Sequence, residues 1–436
     1  MQIKPFKALR FDSSVVGDVG DCIAPPYDVI SDAQAEQLYE KSEHNIVRII
    51  RGKTAPTDNG RDNQYTRAAG YLSKWIEQGA LKQDAEEAIY AYVQDFDWAG
   101  TSLQRLSFIA LSKLEEFGGV VKPHEQILNK PLIDRLNLKR ATMADFGLVF
   151  MLYQDEQGVA DEIIERALTS EPLIDFVDEQ GVRHRLLPVV GDEDIQRIVD
   201  MMGARSCVIA DGHHRYTTGL TYAGESNDPR AGYQMLAFAN TLHKGLIVLP
   251  THRVVGNLDG FSFEKLIADL QENFELTEFK FQTDQTKTAA KQQMLSRMKA
   301  ESENGRNAFG IYGASGAFYV VVLKDKSAMD SGVPEMSPAW RSLDVSVLHK
   351  LILENLLGID KDRLARNENL QYVKDTPNAI EDSIARVDAG RKQAAFFVNA
   401  VKMQQLMAVT DAGERMPQKS TYFYPKVFTG LTIHKL

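Results

Sequence analysis

The stretch Ser206-Cys-Val-Ile-Ala-Asp-Gly-His-His-Arg215 decides how this sequence is interpreted. Its first half is a short apolar run typical of a buried strand, and its second half is the charged pentad Asp211 to Arg215. The pattern predicts a strand-to-helix turn at the pentad. Backbone N–H groups and the positive dipole at a helix start favour an anion, and an arginine adds a two-pronged donor. Phosphate is therefore the predicted ligand.

A simpler interpretation leaves the pentad without chemistry. In that interpretation Asp211 caps the helix, while His213 and His214 make structural hydrogen bonds. An acceptor, two imidazoles and a guanidinium at the exit of a buried strand are an unusual choice for a cap alone. We therefore favour a phosphate-binding turn.

The rest of the chain switches between strand and helix periodicity, which predicts an α+β fold of mixed sheets with flanking helices. Asp192 is the predicted N-cap of one of these helices, and 122–125 is predicted to be a loop. In the N-terminal half, the predicted strands are 45–50, 88–96, 106–114, 146–153, 206–210, 236–241 and 246–249, and the predicted helices are 65–78, 160–168 and 192–202.

In the second half, a new alternation of helix and strand periodicity begins. A surface loop is predicted at 327–340, and the glycines around 313–316 predict a hairpin rather than a phosphate-binding loop. The predicted helices are 263–273, 288–299, 344–355 and 379–389, and the predicted strands are 276–281 and 394–398.

A chain of 436 residues predicts two or three domains. The loop at 255–260 is the best candidate boundary, which gives an N-terminal half at 1–255 and a C-terminal half at 256–436. The aromatic residues of the tail at 416–426 would be costly to leave in water, so this tail is expected to pack back toward the site.

Composition excludes several classes of function. The 50 Lys and Arg against 60 Asp and Glu give a net charge of −10, which argues against binding nucleic acid. The two cysteines, Cys22 and Cys207, are too few for a secreted disulfide framework. The N-terminus lacks the apolar core of a signal peptide, and no apolar run approaches the roughly 20 residues that span a bilayer. We therefore expect a cytoplasmic protein without a membrane partner.

Other residues could complete a site, although each has a structural alternative. Two prolines stiffen the segment before Tyr27 and Asp28. Asp28 suits a general base or a magnesium ligand. Alternatively, the segment is only a rigid turn before a helix near 31–32. The polar pairs at strand ends are His124 with Glu125 and His252 with Arg253, and each alone is more often structural. Lys419 and Lys426 could form a cationic, aromatic rim with Tyr422 and Tyr424, although terminal lysines are commonly solvated.

Long motifs across the chain resemble domain-of-unknown-function family 1015. These motifs are Pro5 to Arg10, Ala24 to Ile30, Asn45 to Arg48, His124-Glu125, Ala210 to Tyr216, Leu249 to Arg253, Ser342 to Val345 and Met416 to Lys426. The resemblance adds Asn45 and Arg48 to the candidate substrate-binding or phosphate-binding residues, with Tyr27, His124, Gly212, His252, Arg253 and Lys419.

The pentad alone is similar to the phosphate-binding signature of the ParB/sulfiredoxin-like superfamily, and free serine kinases carry a similar Asp-Gly-His-His-Arg. The resemblance implies ParB/sulfiredoxin-like core elements, ATP or ADP, and Mg²⁺ whose ligands stay unknown. It also implies that His213, His214 and Arg215 contact phosphates, and that Asp211 orients an imidazole or the substrate.

The sequence thus predicts phosphoryl transfer between an adenine nucleotide and a small hydroxylated metabolite, with serine or phosphoserine as the lead candidate. Asp28 or Glu125 would accept the hydroxyl proton or hold the metal. A phosphatase, or a non-enzymatic nucleotide-binding or scaffold protein, is the alternative. Asp28, Glu125, His214 and Arg253 are expected to share one cleft.

Overall fold

The fold is described from a computed structural model that describes residues 1–125, 130–366 and 368–436. It is an α+β fold, as predicted, with mixed and antiparallel sheets. Strands β1 to β21 are, in chain order, Ile3–Lys4, Leu9–Phe11, Leu81–Gln83, Ile89–Trp98, Thr101–Lys113, Val121–Pro123, Ala144–Asp145, Val149–Tyr153, Ile174–Val177, Arg183–Val189, Cys207–Asp211, Tyr233–Asn240, Ile247–Leu249, Thr251–Val255, Phe274–Lys280, Ala308–Tyr312, Ala317–Leu323, Leu370–Lys374, Ala394–Val398, Tyr422–Tyr424 and His434–Lys435.

Helices occur in both halves of the chain. The segments Val19–Asp21 and Pro229–Gly232 are 3₁₀ helices, and Leu348–Glu354 is a π-helix. Within the described ranges, none of the helices has the length and apolar character needed to cross a bilayer. Helices α1 to α16 are Ser13–Val16, Asp32–Lys41, Val47–Ile50, Gln64–Glu77, Lys130–Thr142, Val159–Ala167, Asp192–Gly203, His213–Glu225, Phe263–Leu270, Asp284–Glu303, Ser327–Gly332, Pro338–Arg341, Asp344–Val347, Lys361–Arg366, Ala379–Asp388 and Met403–Asp411.

The described chain divides into two compact units. The first contains residues 1–123, 130–247 and 425–436, and the second contains residues 124–125 and 248–424. The C-terminal residues 425–436 thus return to the first unit. The predicted domain boundary at 255 stays a prediction, since compactness alone does not test independent domains.

A mixed sheet forms the centre of the first unit. Its strands lie in the order β6-β11-β8-β12-β5-β4-β10-β9, and β1 pairs with β5. One sheet face is apolar and packs against α6 and α7, with Ile163 and Ile198 among the buried residues. Along β4 and β5 the core residues Val93 and Leu106 alternate with the paired Gln94 and Arg105, so polar side chains lie on the opposite face. Asp211 lies opposite Phe150 in the same sheet.

An antiparallel sheet forms the centre of the second unit, in the order β15-β17-β16-β19-β14-β18. Strands β16 and β17 form the hairpin that the glycines at 313–316 predicted. Strand β19 at Ala394–Val398 has the bounds predicted from its apolar run. Both faces of the sheet are covered, one by α9 and the π-helix, and the other by α10 and α15.

Two local predictions in the first unit are wrong. The strand predicted at 45–50 is the short helix α3, because the side chain of Asn45 accepts a hydrogen bond from the N–H of Val47 and turns the chain. The loop predicted at 122–125 begins as strand β6, which pairs in parallel with β11. A parallel partner distant in sequence leaves no local signal, so periodicity could not reveal this strand.

Two further predictions, a helix start and a surface loop, also differ from the structure. Asp192 is the first residue of α7 rather than its N-cap, which is Gly191. The surface loop predicted at 327–340 contains α11 and α12. The side chain of Ser337 caps α12, and Pro338 begins it, which is the position that a helix tolerates best for proline.

Candidate functional site

The structure places the pentad at a strand-to-helix turn, as predicted. Strand β11 ends at Asp211, and α8 begins at His213. Gly212 lies between them with a φ of +91°, a left-handed conformation that residues with side chains rarely adopt. A Cβ atom at this position would lie 2.9 Å from Nε of Arg215. Glycine is therefore needed both for the backbone turn and for the close approach of the guanidinium.

Asp211 does not cap α8, which has no side-chain cap hydrogen bond. Its Oδ2 instead accepts a hydrogen bond from Nζ of Lys426 at 2.7 Å, and its Oδ1 lies 3.7 Å from Nη2 of Arg215. Burial of Asp211 opposes its charged form, but Lys426 and Arg215 outweigh burial and hold the pKa of this carboxyl well below its usual range. Asp211 is therefore ionised at neutral pH.

Arg215 presents a guanidinium that is mostly buried and has few partners. Its side chain is 11% exposed, and its Nε has no acceptor among the described residues. Its Nη2 lies 3.7 Å from Oδ1 of Asp211, which is close enough for an ion pair but too far for a hydrogen bond. N–H donors of Arg215 are therefore available at the start of α8, where the helix dipole also favours an anion.

A cavity of about 50 Å³ lies beside Arg215 within the first unit. Its lining includes the cations Arg135, Lys139 and Arg215 and the carboxylate Asp145. Lys139 and Asp145 form a buried ion pair of 2.6 Å, and Arg135 pairs with Asp134 at 2.5 Å, so Arg215 is the lining cation without a close carboxylate partner. Pockets for whole ligands usually measure roughly 300–1,000 Å³. This cavity therefore suits a small anionic group rather than an entire nucleotide.

Tyr27 lines the same cavity, whereas the next residue, Asp28, is exposed. The guanidinium carbon of Arg135 lies 4.1 Å from the ring centroid of Tyr27. Burial, followed by the charge of Asp28, raises the pKa of Tyr27. The structure thus brings Tyr27 to the cavity beside Arg215, with Asp28 next to it in a surface turn.

His213 and His214 form the first turn of α8. The carbonyl of His214 accepts a hydrogen bond from Oγ1 of Thr218 at 2.7 Å, and the charge of His213 contributes to the lowered pKa of Asp211. Their contact with a phosphoryl group stays a prediction.

Asn45 and Arg48 bind the backbone of the first unit. Nδ2 of Asn45 donates to the carbonyl of Asp21 at 2.7 Å, and Nη2 of Arg48 donates to the carbonyl of Tyr39 at 2.6 Å. These hydrogen bonds join the chain after α2 to the segment before α2 and to α2 itself. A role of Asn45 or Arg48 in phosphate binding stays a prediction.

In the second unit, His124 and Glu125 contact the tail at 416–426. Nε2 of the buried His124 lies 2.9 Å from Oγ1 of Thr421. The carboxylate of Glu125 accepts a hydrogen bond from the backbone N–H of Lys419, whose φ is +54°. Glu125 therefore stabilises an unusual backbone conformation at Lys419.

His252 and Arg253 are buried residues of β14. Nδ1 of His252 accepts from the N–H of Val398 at 3.3 Å, and its Nε2 lies 3.4 Å from Oδ1 of Asp375. Nη2 of Arg253 donates to the carbonyl of Lys419 at 3.1 Å. Burial lowers the pKa of Arg253 to about 10. Arg253 and Glu125 therefore both bind the backbone of Lys419.

The predicted residues form two groups, one in each unit. The turn with Tyr27 belongs to the first unit, and Glu125, Arg253 and Lys419 belong to the second. That Asp28, Glu125, His214 and Arg253 share one cleft stays a prediction. Sequence analysis missed Arg135 and Arg105. Arg105 immediately precedes the predicted strand at 106–114, and a charge beside a long apolar run was the available signal.

Comparisons with solved structures find distant likenesses. A conserved hypothetical protein from Pyrococcus furiosus is 14% identical with a TM-score of 0.35, over 73% of this chain and 92% of that chain. A free serine kinase in complex with AMP is 13% identical with a TM-score of 0.36, over 72% of this chain and 86% of that chain. SbnI from Staphylococcus aureus, with a C-terminal truncation, is 9% identical with a TM-score of 0.35, over 75% and 87% of the two chains.

None of the curated proteins matches this sequence. Residues 3–346 match the family described as Protein of unknown function (DUF1015). This match spans most of the 436 residues and includes the phosphate-binding candidate at Asp211 to Arg215. The chain therefore belongs to the DUF1015 family.

Proposed function

We propose that this protein transfers a phosphoryl group between an adenine nucleotide and a small hydroxylated metabolite, with serine or phosphoserine as the lead candidate. One observation carries the proposal. The guanidinium of Arg215 lies at the N-terminus of the 13-residue helix α8, is 11% exposed, and has a buried Nε without an acceptor in the described chain. A buried guanidinium of this kind, at a helix N-terminus and beside a small cavity, suits a phosphoryl group.

The residues of the turn would have two roles, which are phosphate binding and charge stabilisation. Arg215 and the backbone N–H groups at the start of α8 would bind phosphate oxygens, and His213 and His214 would stabilise charge as the phosphoryl group moves. Asp28, exposed beside Tyr27, is a candidate to accept the hydroxyl proton. Asp211 is less suited to that step, because its lowered pKa and its bond to Lys426 make it a weak base.

Magnesium would be bound mainly through the nucleotide. Among the described residues, no group of three or more His, Cys, Asp or Glu side chains is arranged to hold a metal. Mg²⁺ bound to nucleotides commonly uses one or two carboxylates, phosphate oxygens and water, and Asp28 or Glu125 could supply such a carboxylate. When bound, the ion would neutralise charge on the phosphates.

The direct test is a transfer assay with the purified protein, ATP, MgCl₂ and serine. Mass spectrometry would follow the formation of phosphoserine and ADP. The reverse reaction starts from ADP and phosphoserine. A panel of small hydroxylated metabolites tests the wider substrate class, and release of inorganic phosphate from phosphoserine without nucleotide tests phosphatase activity.

The test variant is Arg215→Ala, and its control is Arg140→Ala. Arg140 pairs with Glu225 at the exposed far end of α8, at 2.6 Å, so its loss should leave transfer unchanged. Arg215→Ala should reduce transfer roughly a hundredfold or more, since it removes charged hydrogen bonds to the phosphoryl group. Absence of transfer with the whole metabolite panel, in both directions, would overturn the proposal. Phosphate release without nucleotide would replace it with a phosphatase.

A further inference from the structure

Arg105 is a fully buried cation with few hydrogen-bond partners. It lies on β5, and its Nη2 donates to Oε1 of Gln94 on the neighbouring strand β4. Its Nε and Nη1 are also buried and have no acceptor within the described ranges. The guanidinium carbon lies 4.7 Å from the ring centroid of Phe150, which lies opposite Asp211 in the sheet.

A second buried arginine shows how unusual this arrangement is. Arg253 is equally buried but donates to the carbonyls of Thr251, Gln418 and Lys419. Burial lowers the pKa of each arginine to about 10. A buried charge that has a single amide acceptor destabilises a fold. Carbonyl partners explain Arg253, whereas Arg105 needs another explanation.

Gln94 connects Arg105 to the phosphate-binding turn. An arginine can only donate, so the amide of Gln94 must direct its oxygen toward Arg105, which leaves the amide nitrogen as a donor. This nitrogen donates to the carbonyl of Lys426 at 2.9 Å, and Nζ of Lys426 donates to Asp211 at 2.7 Å. A chain of three hydrogen bonds therefore runs from Arg105 through Gln94 and Lys426 to Asp211.

Asp211 lies near two cations but forms a hydrogen bond with one of them. Lys426 holds one carboxylate oxygen of Asp211, and the other stays 3.7 Å from Arg215, beyond hydrogen-bond distance. A carboxylate released by Lys426 would form the two-pronged pair that arginine favours. It would then occupy the donors that a phosphate needs.

We infer that Arg105 and Gln94 are positioning residues of the phosphate-binding turn, which fix Lys426 so that it holds Asp211 away from Arg215. The inference rests on the proposed function and deepens it, because it makes Asp211 a built-in competitor of the phosphate. It also explains why a costly buried arginine is present in the polar face of the sheet.

The test separates positioning from stability with the variant Gln94→Glu. A carboxylate at 94 still accepts from Arg105, as a buried ion pair, but has no N–H to donate to Lys426. The ion pair with Arg105 offsets the lost hydrogen bond to Lys426, so we expect a urea midpoint close to that of the wild type, and an affinity for inorganic phosphate and ADP reduced roughly tenfold or more in calorimetric titrations. Adding Asp211→Asn should recover affinity, since a neutral amide does not compete for Arg215.

The matched control is Arg10→Met. Arg10 is held by Asp84 through Nε at 2.9 Å and Nη2 at 2.6 Å, so its loss should lower stability and leave phosphate affinity unchanged. Arg105→Met should reduce phosphate affinity without lowering stability. If Arg105→Met fails to fold, the result with Gln94→Glu tests the inference. Wild-type phosphate affinity in Gln94→Glu would overturn the inference. A wild-type protein that binds phosphate but transfers none would overturn the proposed function alone.

Discussion

Nζ of Lys426 donates to Oδ2 of Asp211 at 2.7 Å, although the two residues are 215 positions apart in the chain. The pair joins the C-terminal segment of the first unit to its strand-to-helix turn. Side-chain exposures of 14% and 21% mean that salt screens the pair much less than a surface ion pair. Because Lys426 holds Asp211, N–H donors of Arg215 remain available. The charge distribution of the turn therefore depends on a residue of the tail.

We expect Lys426→Met to weaken the binding of inorganic phosphate roughly tenfold and to lower the free energy of unfolding by about 1–3 kcal/mol. Without the ammonium group, Asp211 has Arg215 as its nearest cation and competes with the ligand for it. Calorimetric titration and urea unfolding measure the two effects.

The control for this prediction is Lys435→Met, which changes an exposed lysine of the same segment and should alter neither quantity. The double variant Lys426→Met, Asp211→Asn should regain phosphate affinity, because the competing carboxylate is gone. Unchanged affinity in the single variant would contradict the role given to Lys426.

Gly212 allows a prediction with a matched glycine as its control. Gly212 and Gly158 are both left-handed N-cap residues, with φ of +91° and +64°, but a Cβ would lie 2.9 Å from Arg215 at Gly212 and 3.8 Å from its nearest neighbour at Gly158. Alanine at either position should cost about 1–2 kcal/mol of unfolding free energy for the left-handed backbone. Gly212→Ala should also displace Arg215 and weaken phosphate binding, whereas Gly158→Ala should bind normally. Equal binding by both variants would show that the contact with Arg215 is unimportant.

Elements with strong local signals could be predicted from the sequence. The apolar run at 394–398 and the glycine-rich hairpin at 313–316 need no knowledge of distant residues. The short helix α3 could not be predicted, because its apolar residues fit a strand equally well and a side-chain hydrogen bond from Asn45 decides the outcome. Strand β6 depends on its pairing with β11, which is distant in sequence.

In the candidate site, too, local features could be predicted and contacts between distant residues could not. The turn at Asp211 to Arg215 was predictable because its residues are contiguous and their chemistry is unusual. The sequence predicts Lys426 only as a possible rim residue, because its bond to Asp211 depends on how residues 425–436 return to the first unit. Arg105 and Arg135 are ordinary surface residue types in most sequences, so only their burial and neighbours identify them.

The stability of the second unit should depend on pH through Asp344. Burial raises the pKa of this carboxyl to about 6, although Nδ2 of Asn307 donates to it at 2.7 Å. The native state then binds more protons than the unfolded state between about pH 4 and 6, so stability falls as the pH rises through this window. The unfolding free energy of the wild type should fall by about 2–3 kcal/mol relative to Asp344→Asn between pH 4 and 7. A difference that is constant across this range would contradict the raised pKa.

Arg215→Lys should impair phosphate binding even though it preserves the charge. A lysine ammonium is a point charge and cannot reproduce the planar, two-pronged contact of a guanidinium with phosphate. Loss of one charged hydrogen bond costs about 1.5–3 kcal/mol, or roughly ten- to a hundredfold in affinity. Stability should change far less, because Gly212 and the start of α8 form the turn, and Nε of Arg215 has no acceptor in the described structure. Calorimetric titration with inorganic phosphate and ADP, beside thermal melts, measures both quantities. Arg140→Lys, in the exposed pair with Glu225, should match the wild type in both. Equal affinities of Arg215→Lys and the wild type would make Arg215 a structural residue and remove the main support for phosphoryl transfer.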